Sequence, residues 1–298
     1  MSHIIVRKMI DRPTSFAGRD WWYAFRSLVK VFDEKSIGKY AQNLARSFSR
    51  LTKKWDDDLN SEWLCRVFLA AKMVLSASVM LESLEYAERK NLRVVISYLE
   101  YYAILAALRA IVFTSPKSQW KEGEIIRQSH KKTINVACDI LAEIHKEFSE
   151  KFKKHILHIK AYRELISYRA PSSGDSFKKA EFQLDLIELC QVLVEIAQAQ
   201  SEILETSIQK NADGNYSFLE NYIFQVCHSE IDGNRFWDDE DAYRLGYLKR
   251  KYSLPTNIMH IISEGHVEDF FGSWRPKGKH PEDVFNPDDG WRVIFDVP

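Results

Sequence analysis

The chain has 298 residues, of which 45% are hydrophobic and 28% charged; that is long enough for a large core and too apolar for a disordered polymer. The 42 basic and 42 acidic residues cancel, so no global field draws the chain to nucleic acid or to a membrane, although a local basic patch is compatible with that balance. With 11 Gly and 8 Pro, an all-β fold with its many turns is disfavoured.

Residues 1–20 read as an irregular lead-in, with Pro13 and Gly18 as breakers. They contain no sustained apolar run of the kind a signal peptide needs. Residues 21–55 predict two short helices broken near Gly38. The cluster Asp56, Asp57 and Asp58 suits a helix N-terminus, where negative charge and capping oxygens are favourable.

A strong helix is predicted from about Trp63 to Glu88, with Leu64, Val67, Phe68, Ala71, Val74, Leu75 and Ser78 on one face. A second runs from about Leu92 to Phe113, with Val95, Tyr98, Leu99, Tyr102, Leu105, Ala106 and Arg109 sharing its face. Pro116 stops it. The run Tyr101 to Phe113 is the most apolar, and reads as too short and too polar to cross a bilayer.

A loop with Trp120 and Gly123 precedes a third helix, from about Ile125 to Phe148. A basic stretch follows, with Lys151, Lys153, Lys154, His155, His158 and Lys160. After a turn at 170–174, Asp175 is the expected cap of a fourth helix reaching Ile208, with Leu186, Leu189, Cys190, Leu193, Ile196, Ala197 and Leu204 buried. Residues 216–298 are rich in Trp, Phe, Asp, Gly and Pro. Short helices are expected near 216–228, 239–251 and 255–264, and a strand or extended segment at the end.

These elements predict an all-α fold in three parts: an N-terminal helical extension (1–60), a helical bundle (61–210) and a C-terminal region docked on it (211–298). Cys65, Cys138, Cys190 and Cys227 are scattered without a CxxC pair, so buried, reduced thiols and a cytoplasmic location are expected.

The middle of the chain carries three local patterns in order. They are Ser97 to Ile111, reading SYLEYYAILAALRAI; Ser129-His130-Lys131; and Leu165-Ile166-Ser167-Tyr168-Arg169 before a turn and a long helix. Together, over roughly 62–208, they resemble the HEPN superfamily, the helical bundles of prokaryotic toxin and defence systems. The resemblance implies a HEPN-like bundle and RNA as substrate or ligand. It also implies a homodimer, a protein partner from the same system, and toxin–antitoxin or antiviral roles.

Many members of that family are metal-independent endoribonucleases with an Arg-x(4–6)-His motif, whose arginine holds the scissile phosphate. Here Arg163 is followed by Tyr168 and Arg169 where the histidine would stand. A literal Arg-x4-His occurs at Arg275 and His280, in a Pro/Gly-rich stretch outside the bundle.

The candidate catalytic set is therefore Arg163, His158, Tyr168 and Arg169, with His130 as a further acid/base and Arg275 with His280 as the outlying pair. Lys153, Lys154, Lys160 and Arg109 are the nucleic-acid-binding candidates, because guanidinium and ammonium groups meet phosphate and interleaved aromatics stack on bases. For each there is a structural alternative. Arg109 can pair or extend out of the bundle along its aliphatic stem. Arg163, Tyr168 and Arg169 can form a surface ion-pair cluster.

His155 and His158 lack a matching third donor, as do His260, His266, Glu268 and Asp269, so no metal site and no cofactor is expected. A membrane partner is not expected either. The competing function is a non-catalytic interaction subunit that partners or inhibits another enzyme.

Overall fold

The computed structural model of the chain describes residues 14–16, 19–174, 176, 182–272 and 290–294. The fold is all-α, with two short hairpins as its only sheets among the described residues. A hairpin of β1 (Thr14–Phe16) and β2 (Arg19–Trp21) leads into α1 (Arg26–Val31) and α2 (Glu34–Thr52). Then come α3 (Asp57–Arg89), α4 (Arg93–Thr114), α5 (His130–Ile144), α6 (Lys146–Arg169) and α7 (Leu186–Asn211). Next, α8 (Asn221–Cys227) enters the hairpin β3 (His228–Ile231) and β4 (Asn234–Trp237). The chain continues through α9 (Asp239–Lys251), α10 (Ile258–Ile261) and α11 (Val267–Gly272).

Short polar side chains set the helix starts by accepting a bond from an otherwise orphaned amide. Asp56 accepts from Leu59 N at 2.8 Å, as the aspartate cluster predicts, and Asp33 accepts from Ser36 N at 2.9 Å. The break near the N-terminus is thus at Asp33. Gly38 lies buried inside α2 and breaks nothing.

The third predicted helix is two. Residues 121–127 are turns with Lys121, Glu122 and Gly123 at positive φ, and α5 starts only at His130 under the Ser129 cap. It ends where His145 turns extended and caps α6 through a Phe148 N to Nδ1 bond of 3.2 Å. The long seventh helix begins at Leu186 under an Asp185 cap, ten residues past the predicted start; Asp175 lies outside the described residues. Trp291–Val293 forms a single helical turn, not a strand.

Helix α4 is central, packed along α3 and against α5, α6 and α7. Its deepest face is Tyr101, Ile104, Leu108 and Ile111; the predicted face is displaced, leaving Val95 exposed and Tyr102 and Arg109 half-buried. A helix apolar nearly all round offers little periodic contrast, which is why its face was misplaced. All seven predicted core residues of α3 are buried. The four cysteines are free, buried thiols. Helices α3 and α4 are long and apolar enough by length and composition to cross a bilayer, unlike the short run expected. However, 72% and 56% of their apolar windows are buried within the protein, as in core helices.

Buried polar groups tie the parts together. Arg66 donates to the carbonyls of Phe113 (2.7 Å), Ser115 (2.5 Å) and Ser118 (3.0 Å), closing the open end of α4. Its charge is balanced by Glu62, and its guanidinium lies over the Trp63 ring. Glu195 of α7 accepts from Ser27 N and Leu28 N, the orphaned amides at the start of α1. Gln198 and Ser201 accept from Met259 N and Ile258 N, docking α10 on the bundle.

Candidate functional site

The site is built where α4, α5 and α6 meet. Tyr101 and Tyr102 are neighbours on α4, their rings edge to face at 5.2 Å. Because Ser129 starts α5 one residue earlier, His130 stands at the first helical position and its ring reaches back to α4. Its Nδ1 lies 3.0 Å from the Tyr101 hydroxyl, and its ring is 5.9 Å from Tyr102.

Arg163 of α6 completes the cluster. Its Cζ is 5.1 Å from the Tyr101 ring and 5.8 Å from that of Tyr102, a cation–π arrangement favoured by desolvation. Arg163 is only 9% exposed, and its Nε has no hydrogen-bond partner. A buried charged donor left unpaired costs free energy. Its nearest carboxylate, Glu164, sits at 3.9 Å and is shared with Lys160 at 3.2 Å.

Arg109 lies two turns further along α4. It donates to Ile126 O at 3.2 Å and Gln128 O at 3.3 Å. Both guanidinium amino groups are thereby committed to the loop preceding Ser129 and His130. Arg109 is a positioning residue that adds positive potential.

Electrostatics follow from this crowding. Burial and the cations Arg109, Arg163 and Lys160 hold the His130 imidazole below its ordinary pKa, with Glu164 opposing weakly. His130 is therefore chiefly neutral near pH 7. Burial pushes the Tyr101 hydroxyl up to about 12, against the pull of Arg163, so it stays protonated.

The other sequence candidates lie elsewhere. His158 faces a cavity of about 180 Å³ with Glu100, His155, Tyr162 and Phe182. Tyr168 is 79% exposed, at the end of α6 with Arg169. Lys153 and Lys154 lie about one turn from His158 toward the start of α6, and Lys160 borders the cluster. Arg275 and His280 lie outside the described residues. Among the described residues no group of three or more His, Cys, Asp or Glu is placed to hold a metal ion.

Tyr101 and Tyr102 are not among the residues the sequence points to, although both stand inside the YYA pattern. Their adjacency to Arg163 comes only from the packing of α4 on α6.

Comparisons with protein-family models, curated proteins and solved structures return no match.

Proposed function

We propose that this protein binds RNA at the Arg163–His130 cluster and cleaves its backbone without a metal ion. The observation that carries the reading is the convergence on Tyr101 of His130 and of the buried Arg163, whose Nε is unpartnered. Guanidinium pairs with phosphate, and histidine is the usual proton-transfer group near neutrality.

In the tautomer with Nδ1–H donating to Tyr101 Oη, the Nε2 lone pair is free. It takes the proton from a ribose 2′-hydroxyl. The 2′ oxygen bonds to phosphorus, the bond from phosphorus to the 5′ oxygen breaks, and that oxygen is protonated by water. The products are a 2′,3′-cyclic phosphate and a 5′-hydroxyl end. Arg163 and Lys160 stabilise the charge gathering on the phosphate oxygens. A bound phosphodiester also offsets the cations that depress His130, raising its basicity when substrate is present.

The HEPN-like resemblance adds to the reading and assigns the chemistry to a toxin or antiviral-defence setting, with Arg163 keeping its implied role. His130, from a different helix, stands in for the missing histidine after Arg163. The test is cleavage of total RNA in EDTA by wild type, His130→Gln and Arg163→Lys. A product with cyclic phosphate ends whose formation both substitutions strongly slow supports the proposal.

One observation favours the reading as an interaction subunit. The β3–β4 hairpin and its neighbours expose Phe224, Ile231, Phe236, Trp237 and Tyr243, at 47–64% of their surface. Solvent-facing aromatic clusters of this kind mark partner surfaces. Absence of any cleavage, together with a protein captured through that hairpin, would decide for it.

A further inference from the structure

Two clefts lie beside α5, and they share a residue, Lys117. The larger, about 340 Å³, is lined by Arg46 and Arg50 of α2, Lys117 after α4, and Glu143 near the end of α5. The smaller, about 170 Å³, is lined by Lys117, Lys121, Lys132 and one carboxylate, Glu124. Gln128 also lines the smaller cleft, and its carbonyl is the one that Arg109 holds two residues before His130.

Gln128 thus brings the smaller cleft to the loop that Arg109 holds next to His130. From Lys132 to Glu143 the track follows α5 for roughly 17 Å at helical rise.

The track is more cationic than the chain as a whole. Across both clefts stand five cations, Arg46, Arg50, Lys117, Lys121 and Lys132, against the carboxylates Glu124 and Glu143. Glu143 pairs with Lys117. Arg46, Arg50, Lys121 and Lys132 have no ion pair among the described residues. All four are exposed. On α6, by contrast, Lys146, Lys151 and Lys160 are each within reach of a glutamate one turn away. Lys153 and Lys154 of α6 are likewise without an ion pair among the described residues, but they line neither cleft.

We infer that this track, from Lys132 through Lys117 to Arg46 and Arg50, holds the phosphates of a single RNA strand that leaves the Arg163–His130 cluster. The inference rests on the proposed function and names its substrate class: an unpaired strand several nucleotides long, not a free nucleotide. Arg46 and Arg50, one turn apart on α2, present two guanidinium forks to phosphate at the far end of the path.

The experiment is equilibrium binding of labelled single-stranded oligoribonucleotides of about four and about sixteen nucleotides, a range that spans typical single-strand sites. It is done over a range of salt, with wild type and the triple variants Arg46→Glu/Arg50→Glu/Lys132→Glu and Arg46→Gln/Arg50→Gln/Lys132→Gln. These side chains are exposed, so matching thermal transitions certify that the variants fold. The expected result is tighter binding of the long strand by wild type, weakened about tenfold or more by the Glu variant and less by the Gln variant. Removing three phosphate contacts also lowers the slope of log affinity against log salt by about 2.

If both triple variants bind the long strand like wild type, the track is overturned while the cluster's reading stands. Equal wild-type affinity for short and long strands also overturns the track, leaving a small phosphate site. If wild type binds neither strand, the track and the proposed function fall together.

Discussion

The Tyr101 hydroxyl lies 3.0 Å from Nδ1 of His130, joining the centre of α4 to the first residue of α5. This contact orients the ring and leaves Nε2 as the nitrogen not engaged by Tyr101. Tyr101→Phe is expected to cost about 0.5–1.5 kcal/mol of stability, read by urea denaturation. Under the proposed function, RNA cleavage is expected to fall by about tenfold or more, because the unheld ring samples unproductive orientations. Cleavage unchanged in Tyr101→Phe would remove the hydroxyl from the mechanism.

Arg109 is assigned to the loop. In Arg109→Met, the Ile126 and Gln128 carbonyls lose their donors. Faster amide hydrogen exchange is expected at residues 126–132, along with lower turnover. The pH profile is the diagnostic readout. Without the nearby cation, the acidic limb of the rate profile moves to higher pH, since Arg109 helps depress the His130 pKa. A profile identical to wild type contradicts the assignment.

Arg66 is a stability residue. Its Nε and both amino groups donate to three backbone carbonyls at the end of α4. Arg66→Met is expected to destabilise the protein by roughly 3–5 kcal/mol in chemical denaturation, the range for breaking a buried charged network. A loss below about 1 kcal/mol would mean that solvent or rearranged side chains satisfy those carbonyls.

His266 sets a pH dependence of folding. It is buried against the edge of Phe68, its Nε2 has no partner, and burial with Arg244 and Lys72 nearby brings its pKa down to about 3. The folded pKa is depressed, so the unfolded chain takes up the proton first. The contribution is fully present above the ordinary histidine value of about 6.5 and is lost as pH falls toward 3. His266→Phe is expected to flatten the stability curve in that window by up to about 1.4 kcal/mol per pH unit. Parallel curves for the two proteins would show that the histidine is not buried neutral.

Helix positions were legible wherever caps and apolar periodicity agreed. The Asp56 cap and the face from Leu64 to Ser78 on α3 were read directly. Legibility failed where one signal was weak. Helix α4 is apolar on most sides, so its buried face could not be told from the half-buried one that carries Tyr102 and Arg109. His145 carries no helix-breaking signature of its own, so α5 and α6 read as connected segments with a misplaced boundary. The β3–β4 hairpin was overlooked although Asp232-Gly233, both at positive φ, is a strong two-residue turn signal.

The site was half legible. Arg163 and His130 stood out as residue types suited to phosphate and proton transfer. Their partnership is a consequence of packing, because they are 33 positions apart and meet only through the rings of Tyr101 and Tyr102. A motif search along one helix instead paired Arg163 with His158, which turns to another cavity.

The central claim is that His130 and Arg163 cut RNA together. The most direct measurement is the single-turnover rate of cleavage of a long single-stranded RNA in EDTA, with wild type, His130→Gln and Arg163→Lys at matched thermal stability. The account predicts fragments ending in 2′,3′-cyclic phosphate and a rate reduced about 10²–10⁴-fold in His130→Gln, the usual weight of a general base. Arg163→Lys should retain part of the binding and lose most of the rate, because an ammonium cannot reproduce the guanidinium fork. Undiminished cleavage in His130→Gln, or no cleavage by wild type, would contradict it.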